Sequence, residues 1–303
     1  MTKSFVISCE YATCAIPEAY RELYQEVEEL VTSPEGWDSG ALNLAQAFAM
    51  RFRTQLIHGN HTRLLIDLDR DGEDRWSPYS VQIPEASRLR LADREEGTYR
   101  LMLRQRIEDD LRRNDLVCHI SVRTVEATDG RVTVESFDPG SFGEAMADAW
   151  RTRLLQAGIE AGHNAAEGSA LAAELGGTFP RDRYGFVRVR VAQSYFLEGR
   201  PLKWEAVKRV LLDTLQAAAD DCEAHFVFEP EPEAEAEPAP PADPPAEAPE
   251  ASEPSAEPES FSQETTPDTS ASEPPPGAEA EPVGETDTQE APLVEPSGQG
   301  LLF

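Results

Sequence analysis

Residues 184–192 read Tyr-Gly-Phe-Val-Arg-Val-Arg-Val-Ala, a stretch in which valine alternates with other residues. This alternation predicts a β-strand, because successive side chains of a strand point to opposite faces of a sheet. Three valines share one face, and Arg188 and Arg190 share the other. A charged face of this kind fits a solvent-exposed surface or a polar pocket, and alternation alone does not choose between them.

Four further stretches are predicted strands, and helical patterns separate them along the chain. The strands are residues 5–9, 62–68, 115–125 and 131–136, and the helices are residues 18–31, 40–56, 93–113, 141–157, 165–175 and 204–220. Strands separated by helices predict an α/β fold with a mostly parallel or mixed central sheet flanked by helices. In such a sheet the functional crevice lies at the carboxyl ends of the strands.

Charge divides the chain into two parts. Of its 57 acidic residues, 20 lie in residues 229–303, which hold 17 of the 24 prolines and no Lys or Arg. Residues 1–228 hold the other 37 acidic residues and all 27 basic ones, a net charge of −10. We expect residues 229–303 to be a disordered acidic tail rich in Pro, Glu and Ala, because they lack the apolar surface that would offset their conformational entropy. Residues 1–228 are long enough to form one domain.

The composition argues against several classes of protein. No run approaches the ~20 apolar residues that span a bilayer, so we expect no membrane insertion. The acidic balance disfavours direct nucleic-acid binding through a broad basic face. The four cysteines include no Cys-x-x-Cys pair and imply no disulfide framework, so we expect reduced thiols and a cytoplasmic protein.

Polar residues are concentrated where the predicted strands end, in five short motifs. The most specific are residues 7–13 (ISCEYAT), 33–41 (SPEGWDSGA) and 63–70 (RLLIDLDR), and the other two are residues 119–124 (HISVRT) and 187–193 (VRVRVAQ). Together the motifs span most of residues 4–195. They resemble, in the same order along the chain, the motifs of the N-formylglutamate amidohydrolase family.

The resemblance implies a metallopeptidase-like hydrolase fold, in which a divalent metal such as zinc activates water against an amide carbonyl. Such chemistry uses imidazole or carboxylate ligands and a carboxylate base. The chain departs from the family's motifs at these residues. Tyr11 replaces the His of Cys-Glu-His, Pro34 the His before the Gly-Trp-Asp turn, Arg123 the His of Ser-Val-His-Ser, and Arg188 and Arg190 the carboxylates of Glu-Leu-Glu.

These replacements predict an eroded site that is weakly active or inactive, as in a pseudoenzyme, with no cofactor. A guanidinium neither binds Zn²⁺ nor accepts a proton at neutral pH. The residues that we expect to line the former pocket are Glu10, Tyr11, Asp38, Arg63, Asp67, Arg70, Arg123, Arg188, Arg190 and Gln193.

Two alternatives to an inactive site stay open. In the first, the arginines line a pocket that binds a small anionic metabolite without catalysis. In the second, the chain is an active hydrolase whose metal site has moved to the remaining candidate ligands, Glu10, Asp38, Asp67, Asp69 and His119.

Three of these residues also have simpler structural interpretations. Glu10 is expected to cap a loop or to pair with Arg63 or Arg70. Asp38 precedes a predicted helix, where it is expected to cap the amino terminus. His119 lies in an apolar run and is predicted to be an interior histidine, not a ligand.

The final five residues, Gln-Gly-Leu-Leu-Phe, form a second short motif. They resemble the Gln-x-x-Leu-Phe peptides that bacterial replication and repair proteins insert into the sliding clamp. Apolar anchors on a long acidic tether suit such a groove, because affinity rests on a few buried side chains. The residues expected to contact a clamp-like partner are Gln299, Leu302 and Phe303.

We expect the full chain to retain a bacterial sliding clamp in a pull-down, and a chain without residues 299–303 to lose it. The double substitution Leu302→Ala/Phe303→Ala should abolish retention equally, because it removes the two apolar anchors. Equal retention of the clamp by all three proteins would contradict the motif.

Overall fold

A six-stranded sheet forms the centre of the structure, a computed structural model that describes residues 2–127, 131–162, 168–197 and 201–225. The strands are β1 (Lys3–Cys9), β2 (Leu56–His58), β3 (Leu116–Val125), β4 (Val132–Ser136), β5 (Ala161–Gly162) and β6 (Tyr184–Ala192). They lie in the order β2-β1-β3-β6-β4-β5. Neighbouring strands are parallel except β4 and β6, which are antiparallel. The predicted α/β fold with a mixed central sheet is confirmed.

Eight α-helices are present among the described residues. They are α1 (Glu28–Val31), α2 (Ala41–Phe52), α3 (Glu85–Ala92), α4 (Thr98–Arg113), α5 (Phe142–Gln156), α6 (Ala170–Thr178), α7 (Ser194–Leu197) and α8 (Pro201–His225). A π-helical turn, Asp93–Gly97, joins α3 to α4, and short 3₁₀ helices span Glu18–Val27, Gly72–Arg75 and Ser80–Gln82. Within the part of the chain that the structure describes, no helix combines the length and apolarity needed to cross a membrane.

The predicted tail, residues 229–303, lies outside the described residues, as do Gln299, Leu302 and Phe303. Its disorder, the boundary at residue 228 and the clamp contact therefore stay predictions.

The predicted strand at residues 62–68 is wrong. The second strand is β2, and residues 62–68 form turns in which the amides of Leu65 and Ile66 donate to the Thr62 carbonyl. Leu65 is buried in a separate apolar cluster with Tyr24 and Leu91. A buried apolar run therefore does not require extended backbone, because turns also bury such side chains.

Helices cover both faces of the sheet, and the two faces differ in polarity. Helices α2, α5 and α8 cover one face with a continuous apolar core that includes Ile7, Ile120 and Val189. Helices α4 and α6 cover the other face only near the amino ends of the parallel strands, where Val117 and Phe186 are buried. Towards the carboxyl ends, this second face becomes polar.

The start of α5 contacts β6 through two glycines. A Cβ atom at Gly185 would lie 2.6 Å from the Cα and N atoms of Gly143. Two backbones can approach this closely only where neither residue has a side chain. This contact fixes α5 against the sheet.

We expect Gly185→Ala to lower the free energy of unfolding by roughly 2 kcal/mol, because the added methyl group forces the two backbones apart. Gly176→Ala is the matched control, since Gly176 lies within α6 with open space around it. It should raise stability by up to ~1 kcal/mol through helix propensity. Urea denaturation measures both effects, and equal stability of the two variants would contradict the close packing.

Candidate functional site

Polar side chains form two transverse rows across the second face of the sheet. In the first row Ser8 lies opposite Ser121, and Ser121 lies opposite Arg188. In the second row Arg123 lies opposite Arg190. Alternation along each strand keeps these residues on one face, so the arginines predicted from the pattern of β6 are brought together with polar residues of β1 and β3.

Glu10 follows β1 and is the centre of a hydroxyl network. Its carboxylate accepts hydrogen bonds from Ser8 Oγ at 2.8 Å, Tyr99 OH at 2.9 Å and Ser121 Oγ at 2.7 Å. The side chain is buried, and burial raises the pKa of its neighbour Tyr99 well above the usual range. Three hydroxyl donors thus solvate the carboxylate without an arginine.

The predicted pairing of Glu10 with Arg63 or Arg70 is therefore wrong. Arg63 donates to Asp38 instead, and Arg70 is exposed. The structure does not bring Arg70 into the polar rows, because the turn that contains Asp67 and Asp69 directs these carboxylates inwards and leaves Arg70 in solvent.

His119 is an interior histidine in the structure. Its Nδ1 lies 2.9 Å from Tyr184 OH, and its Nε2 lies 2.9 Å from Ser8 Oγ. Since Ser8 donates its only hydroxyl proton to Glu10, His119 Nε2 must donate to Ser8, and Nδ1 accepts from Tyr184. Burial, with a further contribution from the charge of Arg188, lowers the pKa of His119 to about 3. The ring is therefore neutral and both of its nitrogens are used.

Asp38 accepts hydrogen bonds from two arginines. Arg63 Nη2 donates to one carboxylate oxygen and Arg123 Nε to the other. Burial opposes the charge of Arg123. Neighbouring groups outweigh this effect, Asp38 the most strongly, and raise the pKa of Arg123 above its ordinary value. The predicted helix-capping role of Asp38 is wrong: Gly40 is the N-cap of α2, and no side chain caps it.

The ring of Tyr11 contacts the same two guanidinium groups. The Arg63 and Arg123 guanidinium carbons lie 4.1 and 3.8 Å from the centre of its ring, within cation–π range. Its hydroxyl donates to Asp67. Burial raises the pKa of Tyr11 well above its usual value and also raises that of Asp67. The phenol therefore packs against both arginines and carries no charge.

Asp69 links the second row to the first. Arg188 Nη2 donates to Asp69 Oδ1 at 2.8 Å and to Ser169 Oγ at 3.1 Å, while Arg123 Nη1 lies 3.9 Å from Asp69 Oδ2. The Arg188 guanidinium also lies 4.8 Å from the ring centre of Phe137. With only 1% of its surface exposed, Arg188 cannot be reached by a ligand in this conformation.

Arg190 and Gln193, the remaining predicted residues, lie at the border of the polar cluster that these two rows and their partners form. Arg190 Nε is 3.6 Å from Glu135 Oε2, a fully buried carboxylate on β4. Gln193 donates to Thr124 Oγ1 at 3.3 Å. Of the ten predicted pocket residues, nine are therefore gathered at this end of the sheet, and Arg70 is not.

Sequence reasoning missed several residues of the cluster. Ser8 and Ser121 lie two positions before Glu10 and Arg123, so the strand period could have found them. Glu135 lies opposite Arg188 on β4, and only the strand pairing shows that it shares this face. Tyr99 and Ser169 come from α4 and from the N-cap of α6, and no sequence signal points to them.

The donor set does not fit zinc. Guanidinium groups occupy the oxygens of Asp38, hydroxyls occupy those of Glu10, and His119 has no free nitrogen. Among the described residues, no group of three or more His, Cys, Asp or Glu side chains is arranged to hold a metal ion. A cation would also have to approach fixed positive charge on Arg123 and Arg188.

Two solved structures are similar to this chain in fold. A gene product of Agrobacterium tumefaciens, Atu2144, is 18% identical and superimposes with a TM-score of 0.60 over 72% of this chain and 90% of its own. An N-formylglutamate amidohydrolase from Ralstonia eutropha JMP134 is 15% identical, with a TM-score of 0.56 over 74% of this chain and 96% of its own. No model of a known family and no curated protein sequence matches the chain. At these identities the similarity demonstrates an amidohydrolase-like fold.

His119 should make stability depend on pH. Between pH 6.5 and about 3 the unfolded chain binds a proton at this residue that the folded chain excludes, so the free energy of unfolding falls as pH falls. The expected loss from pH 6.5 to 5 is about 2 kcal/mol.

Denaturant titrations at pH 7 and pH 5, on the parent and on His119→Gln, measure this effect. Glutamine retains a donor and an acceptor but does not titrate, so the variant should lose less stability on acidification. Identical losses would show that His119 is not held neutral.

Proposed function

We propose that this chain is an amidohydrolase-like protein in which buried ion pairs have replaced the hydrolytic centre. One observation carries the proposal: Arg123, near the carboxyl end of β3, and Arg188, at the centre of β6, are both buried and are paired with Asp38 and Asp69. In an α/β sheet, ligands and catalytic groups gather at the carboxyl ends of the strands.

The pairing supports a loss of metal chemistry for an electrostatic reason. A carboxylate that is already neutralised by a guanidinium gains little from a second cation, and the desolvated guanidinium repels that cation. The neutral His119, which both Tyr184 and Ser8 contact, offers no free nitrogen in compensation.

The environment of Glu10 supports the absence of a working base. A general base must lie within hydrogen-bond distance of the water that it activates. Glu10 is 1% exposed, and three protein hydroxyls contact its carboxylate. A substrate water would have to displace at least one of them.

The same contacts support a structural role for the cluster. Arg123 attaches the turn at Asp38 to β3, and Arg188 attaches the turn at Asp69 to β6. Arg63, itself in a turn, binds the same Asp38 carboxylate. Removing one partner of a buried pair typically costs about 3–5 kcal/mol. The pairing also disfavours the anion-binding alternative, because carboxylates already occupy these guanidinium groups.

We expect the purified chain, supplied with Zn²⁺, Co²⁺ or Mn²⁺, to hydrolyse N-formylglutamate no faster than buffer containing the same metal. The amidohydrolase from Ralstonia eutropha is the positive control in the same assay. Turnover in the ordinary enzymatic range of about 1–10³ s⁻¹ would overturn the proposal.

Metal content gives a second readout that does not depend on activity. After incubation with Zn²⁺ and gel filtration, the parent should carry far less than one zinc per chain. The double variant Arg123→His/Arg188→Glu, checked for folding by circular dichroism, should retain more zinc because it restores an imidazole and a carboxylate. Stoichiometric zinc on the parent would contradict the proposal.

A further inference from the structure

The outer surface of α2 and α8 contains a groove. The two helices contact through a hydrogen bond from Trp204 Nε1 to Asn43 Oδ1 and an ion pair between Arg51 and Asp213, both at 3.2 Å. Two open cavities of about 360 and 430 Å³ meet at Met50, and we call this surface the Met50 groove. It lies on the opposite side of the sheet from the polar cluster that contains Arg123 and Arg188.

The floor of the groove is apolar and unusually exposed. Met50 exposes 75% of its surface, the largest value among the exposed large hydrophobic residues of the described chain. Ala47 and Leu212 line the first cavity beside it, and Ala49 and Leu56 line the second. Methionine is flexible and polarizable, and it is common on surfaces that bind apolar side chains of a partner.

The rim of the groove is positively charged. In the Arg51–Asp213 and Lys208–Glu205 ion pairs, the two charges neutralise each other. Arg209 in the first cavity and Arg53 in the second have no carboxylate partner among the described residues. The groove thus has a net charge of about +2 within a chain of net charge −30, with one unpaired arginine on each side of Met50.

Arg53 also occupies a strained backbone position. It follows α2 with φ = 53°, and it is the one non-glycine residue with positive φ in the described part of the chain. Glycine, or less often asparagine, normally occupies such a helix end, because a Cβ atom is crowded there. Strain of this kind is typical of functional positions, and here it holds a guanidinium at the edge of the groove.

We propose that the Met50 groove binds an acidic amphipathic helix of a partner protein. Apolar side chains of the helix would pack on either side of Met50, and its carboxylates would contact Arg53 and Arg209. A second copy of the groove is disfavoured as the occupant because like charges would face each other. A nucleic acid is disfavoured because the chain as a whole is strongly acidic.

A synthetic peptide tests the proposal with the full chain. The probe is a helical peptide of about 18 residues with leucines at helical spacing on one face and glutamates on the other. The chain has four methionines, so labelling their methyl groups with ¹³C provides few and assignable signals. The Met50 signal should shift in a saturable way below about 1 mM peptide, while those of Met102 in α4 and buried Met146 stay fixed.

Variants separate specific binding from general attraction. Arg53→Gly should bind the peptide about three- to fivefold more weakly yet unfold at the same or a higher temperature, because it removes both the charge and the strain. Arg209→Gln should weaken binding by a similar factor. Arg113→Gln is the control, and it should bind like the parent. It removes an exposed arginine at the carboxyl end of α4, a helix on the opposite face of the sheet from the groove.

Four outcomes would overturn the proposal. The first is unchanged affinity in Arg53→Gly and Arg209→Gln, and the second is equal binding of a peptide with lysines in place of glutamates. The third is a Met50 shift that depends on protein concentration without peptide, which would indicate self-association. The fourth is tighter binding of duplex DNA than of the peptide.

Discussion

The buried ion pair between Asp38 and Arg123 is the interaction on which this end of the sheet depends. Arg123 lies on β3, Asp38 lies in the turn before α2, and Arg63 joins them from a third segment. A charge this deeply buried is tolerated only when it is paired or fully hydrogen-bonded, so the three segments that form these ion pairs must adopt their positions together. Arg188 and Asp69 repeat the arrangement on β6.

These ion pairs connect the stability of the fold with the proposed loss of hydrolysis. The crevice at the carboxyl ends of the strands holds reactive groups in many α/β proteins, and a fold of this kind does not by itself specify an activity. Here Asp38 and Asp69, which could ligate a metal, bind guanidinium groups, and the ring of Tyr11 packs against two of these groups. Under the proposed function, the contacts that support the fold also occupy the ligands that metal-dependent hydrolysis would need.

The hydroxyl network around Glu10 stabilises a buried carboxylate without an ion pair. The carboxylate is solvated by three hydroxyls, and the chain from Tyr184 through His119 and Ser8 orients one of them. Both networks share one face of the sheet, while the opposite face is apolar and supports α2 and α8. The Met50 groove therefore lies on a scaffold that is separate from the polar cluster.

The sequence by itself determined the fold class and the face of β6 on which its arginines lie, because the strand period is local and needs no knowledge of distant residues. It also indicated that polar residues gather at one end of the sheet, where nine of the ten predicted residues lie, since the carboxyl ends of parallel strands converge. Only the tertiary structure decided the partners: Asp38 binds arginines and does not cap α2, Glu10 binds hydroxyls, and residues 62–68 form turns. Tyr99 lies 89 positions from Glu10, and Arg188 lies 119 positions from Asp69. Contacts at such separations arise from the packing of whole elements, which no local pattern in the chain encodes.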